Sequence, residues 1–554
     1  MLLSNLNLLA TASGGVARLR ELILTLAVQG KLVPQDPNDE PASELLKKIR
    51  AEKDRLAAEG KIKRDKPLAA IAEEEKPFGL PAGWEWVRIP EVTYNLGQGA
   101  PTEKFTYIDV AAIDNDKSLV TNAVEVVEVA DAPSRARKNV AMGTVLYSTV
   151  RPYLKNIAIV EKDYVPRAIA STAFAIMHPH AGLSSKYLLH YLRSGVFTEF
   201  VSSKAVGVAY PAINDANFFE GVIALPPTRE QSRIVTRVEE LMHLCDALEA
   251  KGQLEATQHA QLVSTLLCTL TESETPEELA DNWQRVATHF DLLLDRPEAV
   301  DALEQTILQL AVRGLLVPQD PQDEPASELL KKIRAEKDRL IAEGRIKREK
   351  PLPSIAADEL PRPWPSGWKN VRMGDIIELI SGQHLGPSEY VDGLEASIPY
   401  LTGPAEFGVT SPVPSRSTHE RRAVAVLDDI LITVKGSGVG KLNVVTQDEI
   451  AISRQLMAIR PVIVDAGFLM VVLQTMALHF QEKSVGIAIP GIGREDVMHT
   501  QIGLPPLAEQ SRIVTRVAHL CRLCADLRQR LSAATELQSQ LAQSLVEEQS
   551  TATA

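Results

Sequence analysis

Ile234, Val238, Leu241, Cys245 and Leu248 lie four, three, four and three residues apart, and Ile513, Val517, Leu520, Cys524, Leu527, Leu531 and Ala534 repeat the spacing, with Leu537 three residues further on. This seam predicts two long helices, over 230–267 and 509–546, with stripes of coiled-coil type. At about 1.5 Å per residue the second is ~57 Å long, more than the ~34 Å turn of duplex DNA. Such a helix can serve as a ruler. Thr228-x-x-Gln231 predicts a capping box at the first start, lost in the second where Leu507 replaces the threonine.

Shorter amphipathic stretches cover 19–28 and 303–312, each closed by a glycine, Gly30 or Gly314. Pro34-Gln-Asp-Pro37 and Pro318-Gln-Asp-Pro321 then break the chain, and Asp39-Glu-Pro41 opens a second helix that ends at Gly60. Leu45, Leu46, Ile49 and Leu56 form its apolar side. Lys47, Lys48, Arg50, Lys53 and Arg55 read as a solvated face interleaved with acids, with DNA contact as the alternative. Between the helical parts the period changes. β-Branched runs such as 144–150 and 429–434 alternate with Gly, Pro and Asn turns, which predicts strand-rich α/β domains over 83–226 and 366–505.

The helical parts are duplicated almost verbatim. Residues 23–68 recur as 307–352 with seven mismatches, and the block from Leu225-Pro-Pro through Glu230-Gln231 to Val238 recurs from Leu504 to Val517. The inserts share tryptophans at their start, Trp84 and Trp368. They also share a late segment, where Lys204, Val206, Gly207, Ala209, Pro211 and Ile213 return as Lys483, Val485, Gly486, Ala488, Pro490 and Ile492. The expectation is one fold with different loops. In mid-chain the seam helix precedes the short conserved helices, whereas at the ends the same pieces are split between the two termini. Pseudo-symmetry therefore predicts a cyclic arrangement in which the N-terminal segment packs beside the C-terminal helix. The segment 271–300 has no counterpart and is expected to add a connector helix. The segments are 1–82, 83–226, 227–365, 366–505 and 506–554.

Composition narrows the class. A chain of 554 residues exceeds one core and divides into about three or four folding units. No apolar run approaches the ~18 residues of a membrane helix, and the first 15 residues lack the basic start of a signal peptide. Cys245, Cys268, Cys521 and Cys524 read as reduced thiols of a cytoplasmic protein; Cys521-Arg-Leu-Cys524 has zinc or redox spacing but no second ligand pair. The net charge of −13 runs against a basic DNA-binding footprint, so a DNA face must be a local cluster, or a partner must supply positive charge.

Catalytic signals are lacking. The chain contains no Asn-Pro-Pro-aromatic motif for amino-group methylation. Gly436-Ser-Gly-Val-Gly-Lys441 fails as a phosphate loop, since Lys435 replaces the first glycine and Leu442 the Ser/Thr that would hold magnesium. A glycine turn carrying Lys435 and Lys441 toward DNA phosphate fits better. Asn95-Leu-Gly-Gln-Gly99 is a weak nucleotide signal, and no His/Glu spacing suggests a metal site.

The Leu-Pro-Pro-x-x-Glu-Gln block leading twice into a long helix, each time after a dissimilar domain, resembles the specificity subunit of type I restriction–modification systems. The Leu-Val-Pro-Gln-Asp-Pro and Asp-Glu-Pro-Ala-Ser-Glu-Leu-Leu stretches are similar to that family too, and the resemblance covers essentially the whole chain. It implies an α+β protein: two α/β target recognition domains separated by long antiparallel conserved helices, in a pseudo-twofold cyclic arrangement. Each domain would read one half of a bipartite, asymmetric double-stranded DNA site. The helices would fix the spacer and bind two methyltransferase subunits, with restriction/translocase subunits as optional further partners. Adenine methylation with S-adenosylmethionine, and ATP, would belong to those partners, leaving this chain non-enzymatic and without a cofactor.

Candidate DNA contacts follow from charge at strand-to-turn positions. Arg151, Tyr153, Lys155 and Asn156 follow the run 144–150; Lys435 and Lys441 hold the corresponding region of the second insert. Arginine and lysine reach guanine edges or phosphates there, and asparagine pairs with adenine. The alternative is an exposed charged turn without a role. Lys204 and Lys483, shared by both inserts, suit phosphate contact or scaffold. Arg135, Arg137 and Lys138 form a basic cluster, as do Arg421 and Arg422; Arg454-Gln455 is a base-reading candidate, and Arg494 completes the set. A reading of different class is a coiled-coil scaffold whose inserts bind proteins.

Overall fold

The computed structural model describes residues 6–60, 68–207, 210–353, 355, 364–436, 438–484 and 491–551. Two compact units result: residues 1–256 with 534–554, and residues 257–533. Each long helix, Thr228–Glu272 and Leu507–Thr551, contributes one stretch to each unit. Both helices have 45 residues, about 68 Å at ~1.5 Å per residue.

In the first unit the helix Gly15–Val28 buries Leu19, Ile23 and Ala27 in a core that also holds Leu45, Ile49, Ile234, Val238, Cys245 and Ala542. The N-terminal segment thus packs beside the end of the C-terminal helix, as the order of the duplicated parts predicts. Arg18 donates to the Ser539 carbonyl at 2.9 Å and to its hydroxyl at 3.1 Å. In the second unit Leu303, Ile307 and Leu310 of the helix Pro297–Val312 pack with Val263, Leu267, Leu270 and Cys524. The predicted seam holds through Leu531, but Ala534 and Leu537 face solvent; the buried stripe resumes at Ala542. The connector segment forms the helix Pro276–Thr288, anchored by Asn282, which donates to Ser273 Oγ at 3.1 Å.

The second short helices, Ala42–Ala58 and Ala326–Ala342, are solvated on their basic faces. Lys47 pairs with Glu44, Lys48 with Glu40, and Arg55 with Glu52 and Glu59, which favours the solvated-face reading over DNA contact.

The inserts share one topology. In the first, Thr93–Tyr94, Phe174–Pro179, Val145–Ser148 and Ile157–Ile159 lie side by side; in the second the order is Ile377–Ser381, Leu456–Pro461, Ile430–Thr433, Leu442–Val444. A second sheet also matches, including its one parallel pair, Phe105–Ile108 with Ala168–Ser171 and Ile398–Leu401 with Glu449–Ile452. The first insert adds the strands Ile113–Asp114 and Leu119–Val120, and the second adds Tyr390–Asp392. Each insert begins and ends in one antiparallel pair, Glu85–Arg88 with Val222–Leu225 and Lys369–Arg372 with Gln501–Leu504. Its two ends are therefore neighbours, so the domain between them can diverge without disturbing the frame.

Candidate nucleic-acid interface

The duplicated blocks meet each other at the foot of each insert. The Glu230 carboxylate accepts from Trp84 Nε1 at 3.0 Å and Gln35 Nε2 at 2.7 Å; Glu509 accepts from Trp368 Nε1 at 3.0 Å and Gln319 Nε2 at 2.7 Å. Burial raises both carboxyls above their ordinary range, and these hydrogen bonds oppose the shift. Arg233 pairs with Asp39 at 2.7 Å and Arg512 with Asp323 at 2.6 Å. Gln231 does not close a capping box. Its amide donates to the Pro226 carbonyl and accepts from the Ser184 N–H, and Gln510 does the same with Pro505 and Asp465. The fixed Glu-Gln pair thus holds a conserved loop with one side chain and the inserted domain with the next. Gly30 and Gly314, at φ 70 and 71, leave room for the tryptophans: a Cβ on Gly30 would stand 2.9 Å from Trp84 and 2.5 Å from Pro81.

Elsewhere in the first domain, three segments come together. Arg151 opens a turn after Val145–Ser148 and donates its N–H to the Pro211 carbonyl at 2.8 Å; Thr149 donates to Ala173 and accepts from the Ile213 N–H. The second domain repeats the arrangement, with Val434 donating to Gln455 and accepting from Ile492, and Lys435 bridged to Gly491. The turns that follow place their positive φ angles at corresponding positions, Arg151 and Lys155 in one and Gly436 and Gly440 in the other. Arg135 joins the first cluster through its carbonyl, which accepts from Thr172 N–H at 2.8 Å.

The candidates sort by environment. Tyr153, Arg135, Lys435, Lys441, Arg454 and Gln455 are exposed, and Arg151 and Asn156 are half-buried. Among the described residues Arg135, Arg151, Lys435, Lys441 and Arg454 make no ion pair. Others are engaged internally. Lys138 is buried, donating to Asp215 at 2.6 Å and to the Phe174 carbonyl at 2.7 Å, so it is a core ion rather than a surface cation. Lys155 is half-buried, and burial lowers its ammonium below the ordinary range, with Glu21 opposing the shift. Lys204 pairs with Glu220, Arg421 with Glu449, Arg422 with Glu389 and Glu420, and Arg494 with Glu349. Arg137 donates to the Ser134 carbonyl at 3.0 Å. The Lys483 side chain, and Ala209, Val485, Gly486, Ala488 and Pro490, lie outside the described residues.

Tyr210 is the residue missed from sequence: 68 % exposed, it lies under the Arg151 guanidinium, 4.4 Å from ring centroid to Cζ. Its signal was a differing position, Tyr210 against Ile489, between shared neighbours. No group of three or more His, Cys, Asp or Glu that could hold a metal occurs among the described residues. Cys524 is buried and burial pushes the Cys521 thiol up to about 11, so that cysteine is uncharged at neutral pH. No helix among the described residues is long and apolar enough to cross a membrane.

Two like-folded domains with dissimilar turns, each mounted on the same helical clamp, define a two-headed recognition protein. Residues 365–537 match the family model described as type I restriction modification DNA specificity domain. The Escherichia coli type I restriction enzyme EcoAI specificity subunit is 37 % identical over 555 residues, covering 96 % of this chain and 93 % of that protein. The EcoEI specificity subunit of the same organism is 36 % identical over 560 residues, with 96 % and 93 % covered. A chain solved in work on complex assembly and conformational transition of the type I R-M system has 26 % identity and a TM-score of 0.50, covering 86 % of this chain and 99 % of that one. The chain belongs to the type I restriction enzyme specificity subunits. It is the DNA specificity component, and catalysis lies in other subunits. The reading of the inserts as protein-binding modules of a scaffold is set aside.

Proposed function

We propose that the domain over 83–226 reads one half of a bipartite, asymmetric double-stranded DNA site and the domain over 366–505 the other. The conserved parts, 1–82, 227–365 and 506–554, set the unread spacer. They form a pseudo-twofold frame of antiparallel long helices closed between the termini, and bind two methyltransferase subunits in the cytoplasm. Restriction/translocase subunits are further partners. The observation that carries this reading is the pair of turns after Val145–Ser148 and Ile430–Thr433, which share positive-φ positions and flanking backbone hydrogen bonds but differ in side chains, in domains mounted on matching clamps. Different residues on one backbone suit different bases on one type of groove.

Arg135, Arg151, Tyr153 and Asn156 are the proposed contacts of the first domain, with Lys435, Lys441, Arg454 and Gln455 in the second. A net charge of −13 makes the methyltransferase subunits the source of much of the phosphate binding. The test exchanges residues 85–225 for the corresponding domain of a relative with another specificity. The methylated motif should change in one half and keep the other half and the spacer length. A change in both halves would contradict independent reading.

A further inference from the structure

We propose that Arg151, stacked on Tyr210, reads a guanine in the half-site of the first domain, and that the second domain reads no base from this position because Gly436 occupies it. The inference rests on the half-site reading above and assigns a base to one of its residues.

Arg151 sits at φ 49, in the left-handed region where a Cβ is disfavoured; Gly436 makes the same turn at φ 88 without that penalty. The turn therefore does not need arginine for its shape. The backbone is nevertheless held at this residue, and the side chain rests on an aromatic ring. The Arg151 N–H donates to the Pro211 carbonyl at 2.8 Å, its guanidinium lies 4.4 Å from the centre of the Tyr210 ring, and the following Pro152 fixes the backbone. Stacking on an aromatic face occupies the plane of the guanidinium and leaves its N–H edge available. No carboxylate pairs with that edge among the described residues.

The surroundings are those of a contact surface. Val206 is 77 % exposed and Tyr210 68 %, and Tyr153 and Leu154 are exposed beside them. Apolar surface left in water next to an unpaired cation marks a binding face. A planar fork resting on the Tyr210 ring suits the two acceptors that guanine presents in the major groove, O6 and N7. Lys155, at the other positive φ of the turn, does not compete, since its ammonium is half-buried under the influence of Glu21 and Arg193.

The experiment maps the methylated motif in cells that express the full chain with the methyltransferase subunit of its own system, comparing wild type with R151G, R151K and Y210A. R151G places a glycine where the second domain already has one, so the complex should assemble and melt as wild type does. Its motif should become degenerate at one G·C pair of the first half-site, with about 5- to 150-fold lost discrimination there, and remain unchanged in the second half and spacer. R151K, which cannot fork, should lose the same discrimination, and Y210A should weaken it. An unchanged R151G motif, a first half-site without a G·C pair, or degeneracy in the second half would overturn the assignment. Loss of methyltransferase association by R151G would show that the patch binds protein, and would overturn it too. A wild-type motif that is not split would instead refute the half-site reading itself.

Discussion

Glu230 and Glu509 each hold two N–H donors in a buried place, and a carboxylate is the side chain that accepts both. Glutamine there turns one acceptor into a donor that faces a donor. Glu230→Gln should therefore cost about 1–3 kcal/mol. The loss should appear as faster hydrogen exchange in the first unit, and Glu509→Gln should act in the second; exchange unchanged by either would refute the clamp. At this scale the sequence was partly readable. Repetition of Glu230-Gln231 as Glu509-Gln510 announced that the pair mattered, yet a local rule made Gln231 a cap. Its partners Ser184 and Pro226 come from the inserted domain and the bend that leaves it, so local spacing could not reveal their competition. The charged candidates had the same limit. Lys138 looked like Arg135 and Arg137 in sequence, but strand alternation turns it into the core, where Asp215 neutralises it.

Helices that share duplicated stretches in one chain create a pairing problem, and an inverted ion pair addresses it. In the first unit Arg20 of the short helix pairs with Asp246 and Glu249 of the long one; in the second unit Arg528 of the long helix pairs with Asp301 and Glu304 of the short one. Glu304 stands where Arg20 stands in the other copy, and Arg528 where Glu249 stands. Exchanging partners would oppose like charges. Such exposed pairs add little stability, roughly 0–1 kcal/mol each, but they discriminate between alternatives that are otherwise alike. Arg20→Glu should lower the stability of the first unit and increase misassembled species on refolding. Adding Glu249→Arg should restore native assembly, as followed by unit-resolved hydrogen exchange; a double variant no better than the single one would sink the idea. The helices themselves were legible from the heptad spacing, although burial stops after Leu531 and returns at Ala542, where the packing surroundings change.

For the whole molecule, duplication and permuted order were the readable signals, because identical segments must find equivalent neighbours. They anticipated the contact of Arg18 with Ser539, 521 positions apart. The detailed sheet orders were not readable, since short strands joined by long loops leave many pairings open. The central claim is that two like-folded readers, held by one frame, define one split DNA site. Its most direct test is single-molecule sequencing of the methylated DNA from cells that express this chain with its cognate methyltransferase. The account predicts an asymmetric motif of two specified segments separated by an unspecified spacer of constant length. A single contiguous or palindromic motif, or a spacer that varies from site to site, would contradict it.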